Sequence, residues 1–237
     1  MQRNDRGLDY YIEMNDQAYE ATRSQRGLQE RKLLHQILLQ RAPSELRLLD
    51  VGAGSGILVQ EALAMGFSAE GVEPSLELQA RAVELGLSVK AGVLPHPELA
   101  GPYDVITLVD VIEHVPDPVG LLKAVKTVLA PGGVIAVVTP DRRSVMARLM
   151  GYKWWHYRIA HIGYFDRATL DLALAKSDHV GTGFYRPTWY LPLKYITDRL
   201  IGYLPRPLRF RTPEAMNRIT VPLNLRDSMM VICQRRF

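Results

Sequence analysis

An α/β fold, a parallel sheet doubly wound by helices, is what this sequence of 237 residues predicts. Three observations point to it. From Leu46 onward, short runs rich in β-branched residues alternate with segments of helical periodicity. A glycine-rich turn, Gly52-Ala53-Gly54-Ser55-Gly56, joins the first such run to the first helical one. Cap and turn residues then punctuate the boundaries at the intervals that βα units need.

The elements follow in order. Residues 8–41 read as helical, with Leu28, Leu33, Leu34, Ile37, Leu38 and Leu39 near helical spacing and Pro43 as the stop. Leu46–Val51 is the first strand and Gly56–Met65 a helix. Ser68–Val72 is a strand. Ser75 caps a helix through Glu84, which Gly86 ends. Ser88–Val93 and Tyr103–Val111 are strands, and Pro118–Leu129 is a helix closed by Pro131-Gly132-Gly133. Val134–Thr139 is the next strand. Residues 141–178 read as mostly helical, and strands near Val180–Tyr185 and Met229–Gln234 complete the sheet. The spans define three parts. Residues 1–44 form an N-terminal helical cap, 45–185 with 228–237 the sheet domain, and 186–227 an insertion too long for a simple connection.

Composition narrows the function classes. Hydrophobic residues are 47% and charged residues 23%, which excludes a wholly disordered chain. A single cysteine, Cys233, excludes an intrachain disulfide and a cysteine-cluster metal site. The N-terminus lacks the apolar core of a secretory signal, and no run of 18 apolar residues occurs. A cytosolic protein is expected, with peripheral membrane contact left open. The net charge of +4 is uneven: residues 1–183 sum to −3 and residues 184–237 to +7.

The glycine turn carries the chemistry. Without Cβ atoms the chain can turn sharply and a ligand can approach its backbone. Glu73, 21 residues after Gly52, is expected just past the second strand, where a carboxylate can accept from both hydroxyls of a ribose. The dinucleotide fingerprint wants a glycine where Ile57 stands. Asp50 beside the turn would repel a pyrophosphate but accept from an ammonium group. The ligand implied is a nucleoside with a cationic tail, which favours S-adenosylmethionine over NAD.

With LLDVGAGSGILVQEA, EGVEPS, YDVITLVDVIEHVPDP, APGGVIAVVTPD and DSMMVICQ in this order, the chain resembles the class I S-adenosylmethionine-dependent methyltransferases over about residues 46–140. Residues 141–183 are looser in their likeness to a broad group of bacterial small-molecule methyltransferases. The ubiquinone-pathway O-methyltransferases are distant relatives of that pattern. The resemblance implies a Rossmann-like, seven-stranded, mostly parallel sheet with an antiparallel last strand. It places Gly52, Gly54 and Gly56 along the methionine and ribose, Asp50 near the amino group, Glu73 on the ribose diol and Pro74 beside the adenine. Val93 and Leu94 would face the adenine edge, where many relatives carry an acid. Val109 and Asp110 would lie beneath the sulfonium. The product would be S-adenosylhomocysteine.

Methyl transfer from a sulfonium is an in-line displacement that needs alignment and, for a hydroxyl acceptor, a base. A phenol of pKa about 10 is only about one part in a thousand ionised at pH 7. His114, after the fourth strand, and His161, in the presumed lid, are the expected catalytic histidines. Trp154, Trp155, His156 and Tyr157 would roof a substrate, or simply plug the sheet edge. Asp110, Glu113, His114 and Asp117 do not show a catechol-type metal spacing, so no metal is expected.

Phe184–Arg211 holds seven aromatic and six basic residues, with Asp198 the one acid. Pro192–Leu204 reads as an amphipathic helix. Three uses stay open: a substrate cap or homodimer face, a membrane-surface contact admitting a lipidic or quinone-type substrate, and RNA binding. The expected activity is methylation of a small molecule, most readily at a hydroxyl oxygen. An RNA methyltransferase and a non-catalytic cofactor-binding accessory protein are the alternatives. The negative charge of residues 1–183 argues against nucleic acid as the partner.

Overall fold

The computed structural model describes residues 22–38 and 46–236. The remainder of the expected N-terminal cap, including most of the 8–41 helix before Arg23, lies outside the described residues.

A seven-stranded sheet forms the centre, in the order β3-β2-β1-β4-β5-β9-β6. Its strands are β1 (Arg47–Val51), β2 (Ser68–Glu73), β3 (Val89–Ala91), β4 (Tyr103–Val109), β5 (Leu129–Pro140), β6 (His179–Tyr185) and β9 (Ser228–Arg235). β1 to β5 run parallel, whereas β9 runs antiparallel to both β5 and β6. This is the expected Rossmann-like sheet with an antiparallel last strand. β1 and β4 are neighbours at the point where the winding reverses, so a crevice opens at their carboxyl ends.

Local chemistry sets the helices. α1 (Arg23–Leu38) is the described part of the N-terminal cap. α2 (Ile57–Ala64) starts directly from the glycine turn. Ser75 caps α3 (Leu76–Glu84) by accepting from Leu78 N. Asp117 caps α4 (Pro118–Val128), with Pro118 in its first turn. α5 (Val145–Met150) begins at Ser144, and α6 (Arg167–Lys176) at a reciprocal Asp166–Thr169 capping box. Apolar residues fill both faces of the sheet. Leu49, Ile106, Ile135 and Val231 pack with Leu122, Val125, Leu170 and Leu174 on one side. Leu48, Val105, Ala136 and Ile232 pack with Leu34, Ile37, Leu58 and Val59 on the other.

The structure differs from the sequence reading at several element ends: β4 stops at Val109, and β5 begins at Leu129 and takes in Pro131-Gly132-Gly133, expected as a turn. Glu73 is the last residue of β2 rather than past its end. β3 stops at Ala91, leaving Val93 half exposed, because its pairing partner β2 ends at Glu73. Residues 154–166 are irregular rather than helical, since Trp154 is drawn fully into the interior and breaks helical register. The 186–227 insertion is ordered. β7 (Trp189–Pro192) pairs antiparallel with β8 (Thr220–Leu223), α7 (Leu193–Gly202) follows β7, and β7 packs against α1. Among the described residues no helix is long and apolar enough to cross a membrane.

Candidate functional site

One cavity of about 1560 Å³ opens at the carboxyl edge of the sheet. Its floor comes from the ends of β1, β2 and β4 and the loop after β3. Its roof comes from α1, the 154–161 loop and the β7–α7–β8 insertion.

The glycine turn is bolted to β2. Gly52 N and Ala53 N both donate to the Val72 carbonyl, at 2.8 and 3.1 Å. The Glu73 carboxylate accepts from Gly54 N on one oxygen and from Ser75 N on the other, each at 2.8 Å. Glu73 therefore shapes the turn as well as facing the cavity. Burial raises its pKa, and the two backbone donors oppose that rise. Asp50 is buried beside it and accepts from Thr107 Oγ1 at 2.7 Å across the β1–β4 pairing. Burial pushes the Asp50 carboxyl up to about 7 despite that bond.

Two further acids face the same space. Glu30, on α1, is buried with Oε2 lacking any hydrogen-bond partner, and burial pushes its pKa up to about 8. Asp110 holds a left-handed backbone (φ 52°) just after β4, and its Oδ1 is also buried without a partner. Burial raises Asp110 too. Buried carboxyls without donors are costly unless a cation or a proton satisfies them. This cradle thus fits the sulfonium and ammonium of S-adenosylmethionine, with Arg26 on the same wall for an anionic group.

Most of the sequence-expected site comes together here. Asp50, Gly52, Gly54, Glu73, Pro74, Val93, Leu94, Val109 and Asp110 all line the cavity, as do His114, His161, Trp155 and His156. Three expected residues do not. Gly56 is the left-handed start of α2 (φ 78°), where a Cβ would come within 2.6 Å of Leu87 Cδ1; it serves helix–strand packing. Trp154 is 1% exposed and packs edge-on to His156 and Tyr157 beneath the loop. Tyr157 leans outward against Tyr164.

The histidines form a row. His114 and His161 meet edge-on with ring centroids 4.6 Å apart, and His161 stacks on His156 at 6.1 Å. His114 Nδ1 lies 2.8 Å from the Ala160 carbonyl oxygen, which can only accept, so that nitrogen carries a proton. Burial lowers the His114 pKa. His161 is pushed down to about 3, first by burial and then by His114, His156 and Arg158, and its Nδ1 has no partner. His156 Nε2 lies 3.1 Å from Asp227 Oδ2, which also accepts from Trp155 Nε1 at 2.9 Å.

Among the described residues, Glu113, His114 and His161 bring one ligand-type atom each to within 4.8 Å of the others. Thr139 donates to Glu113 Oε2 at 3.0 Å, and burial holds this carboxyl well above the usual range. A cation could use this group only by displacing that proton, and we assign no metal to it.

Glu30, Arg26, Thr107, Arg158 and Asp227 were missed by sequence reasoning. Glu30 had a signal: it shares the apolar stripe of Leu33, Leu34 and Ile37, where a carboxylate is out of place. Thr107 and Asp227 had none, because each reaches its partner only through strand pairing or loop closure.

A family model described as a methyltransferase domain matches residues 22–179. A ubiquinone biosynthesis O-methyltransferase of Caulobacter sp. (strain K31) is 37% identical over 111 residues, 43% of this chain and 44% of that protein. One from Bordetella bronchiseptica is 34% identical over 118 residues, 46% of this chain and 49% of that protein. The chain spans about half the length of the curated relatives it matches. A Thermotoga maritima structure, described as a methyltransferase dependent on S-adenosylmethionine and possibly acting on histamine nitrogen, superposes with TM-score 0.59 at 19% identity. That alignment covers 98% of both chains. With the family model covering the cofactor cradle and most of the sheet, the chain belongs to the methyltransferase-domain family.

Proposed function

We propose that this protein transfers a methyl group from S-adenosylmethionine to a hydroxyl oxygen of an apolar small-molecule acceptor. The carrying observation is that one cavity joins the acidic glycine cradle to a row of three histidines. When bound, S-adenosylmethionine supplies an electrophilic methyl on a positively charged sulfur. Asp50, Glu30 and Asp110 offset its cationic groups, Glu73 accepts from the ribose hydroxyls, and Val93 and Leu94 line the adenine edge. A histidine of the row accepts the hydroxyl proton, while the roof excludes water.

The acceptor side of the cavity is apolar, with Met146, Met150, Trp189, Leu191, Ile196, Leu200 and Leu223. The volume exceeds what one nucleoside cofactor fills, since ordinary ligand sites run about 300–1,000 Å³. One observation favours a lipid-linked or quinone-type acceptor met at a membrane surface. Ile159, Leu200 and Tyr203 line the cavity and are also strongly exposed, beside Arg158 and Arg199. Such an apolar rim with cations suits an anionic lipid surface.

Calorimetry with S-adenosylmethionine and S-adenosylhomocysteine tests the first half. Methyl transfer from tritiated cofactor to phenols, free and in detergent micelles, tests the second. No binding of either nucleoside, or label appearing only on nitrogen acceptors, would defeat the proposal.

A further inference from the structure

The last loop of the chain completes a second charge-bearing pair at the acceptor side. We propose that His156 is the general base of the reaction and that Asp227 is its positioning residue; this rests on the hydroxyl-acceptor reading above. Asp227 lies 71 residues away in sequence, at the end of the insertion and just before β9. It is 3% exposed. Its backbone carbonyl accepts from Asp141 N at 2.8 Å, and the Asp141 carboxylate pairs with Arg186 at 2.7 Å. The loop is therefore anchored at the carboxyl end of β5, and the carboxylate is aimed rather than loose.

The three histidines are not equivalent. His161 sits in a site that disfavours its charged form, and although the Glu113 carboxyl comes within 4.8 Å, the His161 Nδ1 has no hydrogen-bond partner. His114 is oriented by a carbonyl, which fixes a tautomer but brings no full charge. The His156 ring hydrogen-bonds the Asp227 carboxylate directly, at 3.1 Å. A base so placed has its imidazolium stabilised as the proton arrives. His156 and Asp110 line the same cavity, and a positive charge on His156 would oppose the rise that burial imposes on the Asp110 carboxyl. The titratable groups that face its ring are Asp227 from the last loop, Asp110 after β4, and His161 from its own loop.

The step balances simply. Nε2–H donates to Asp227, leaving Nδ1 as the ring's acceptor. The acceptor O–H bond breaks and its proton goes to Nδ1, while the oxygen lone pair forms the O–CH₃ bond. The carbon–sulfur bond breaks, and its electron pair stays on sulfur as a neutral thioether. The ring then returns its proton to solvent.

Two measurements test this. In protein labelled with ¹⁵N-histidine, His156 should show the Nε2–H tautomer, and Asp227→Asn should shift that population. An Nδ1–H tautomer in the unmodified protein overturns the proposal whether or not an acceptor is known. The second uses tritiated cofactor and phenols of hydroxyl pKa about 5 to about 10. His156→Gln should slow methylation of the weakly acidic phenols about 10²–10⁴-fold and leave phenols already ionised at the assay pH nearly unaffected. Asp227→Asn should lower kcat about tenfold or more, with Asp227→Glu recovering part. Cofactor affinity should stay within about twofold in each variant, which also reports folding. A full rate in His156→Gln, or an equal loss on every phenol, overturns the assignment. If the unmodified protein methylates no phenol, the hydroxyl reading fails on its own, and the tautomer still decides the pair.

Discussion

Replacing Glu73 by Gln separates two jobs that this side chain performs at once. Each of its oxygens accepts a backbone N–H at 2.8 Å, from Gly54 and from Ser75. An amide of the same shape offers one oxygen and one NH₂. One backbone donor would then face another donor in a site where Glu73 is 5% exposed. A hydrogen bond to a charged group contributes about 1.5–3 kcal/mol, and removing the buried charge returns part of that. A net loss of about 1–2 kcal/mol is expected in the protein without cofactor. For a chain of this size that is about 2–8 °C in melting temperature. The ribose hydroxyls would lose a charged acceptor as well, weakening cofactor binding about 5–30-fold. Thermal unfolding of the cofactor-free variant and calorimetry with S-adenosylhomocysteine read the two effects separately. A melting temperature within about 1 °C of the parent would refute the claim that Glu73 braces the glycine turn. An unchanged affinity would refute its place in the cofactor site.

Cofactor affinity should depend on pH because burial holds the Asp50 carboxyl at about 7 and Glu30 at about 8. A cationic ligand prefers both groups ionised, so affinity should fall as pH drops below about 7, with proton release detectable by calorimetry in two buffers; a flat response from pH 6 to 8 would contradict this. Stability of the cofactor-free protein should move the other way. Asp50 has a raised folded pKa, so its contribution is fully present below about pH 4 and is lost as pH rises through about 7. Gly56→Ala should cost about 2–3 kcal/mol by urea unfolding, since it combines a positive φ with a Cβ 2.6 Å from Leu87, whereas Gly132→Ala, equally left-handed but in open space, should cost about 1. Equal costs would show that Leu87 yields freely. The exposed, basic rim should bind anionic vesicles in a sedimentation assay, and Ile159→Ser with Leu200→Ser should weaken that binding; sedimentation equal to that with neutral vesicles would remove the lipid reading.

Much of the sheet was legible because its signals are local. The strand-to-helix turn at Gly52–Gly56 and the Ser75 and Asp117 caps act within a few residues of themselves. They place Asp50, Glu73 and Asp110 at strand ends with no knowledge of packing. The loop carrying Trp154 to Tyr157 was not legible in the same way. Burial of Trp154 is decided by the space beneath the loop, and that space turns Trp155 and His156 to the cavity while Tyr157 points out.

By itself, then, the order of motifs determined the doubly wound sheet and which carboxylates and glycines crowd its carboxyl edge, because backbone periodicity and turn chemistry are short-range. Only the tertiary structure decided that Glu30 joins that edge from α1. It also decided that the 186–227 segment roofs the cavity and that Asp227 meets His156 across 71 residues. Those contacts depend on where loops close and which side chains the core leaves room for, and no short stretch of sequence encodes that distance.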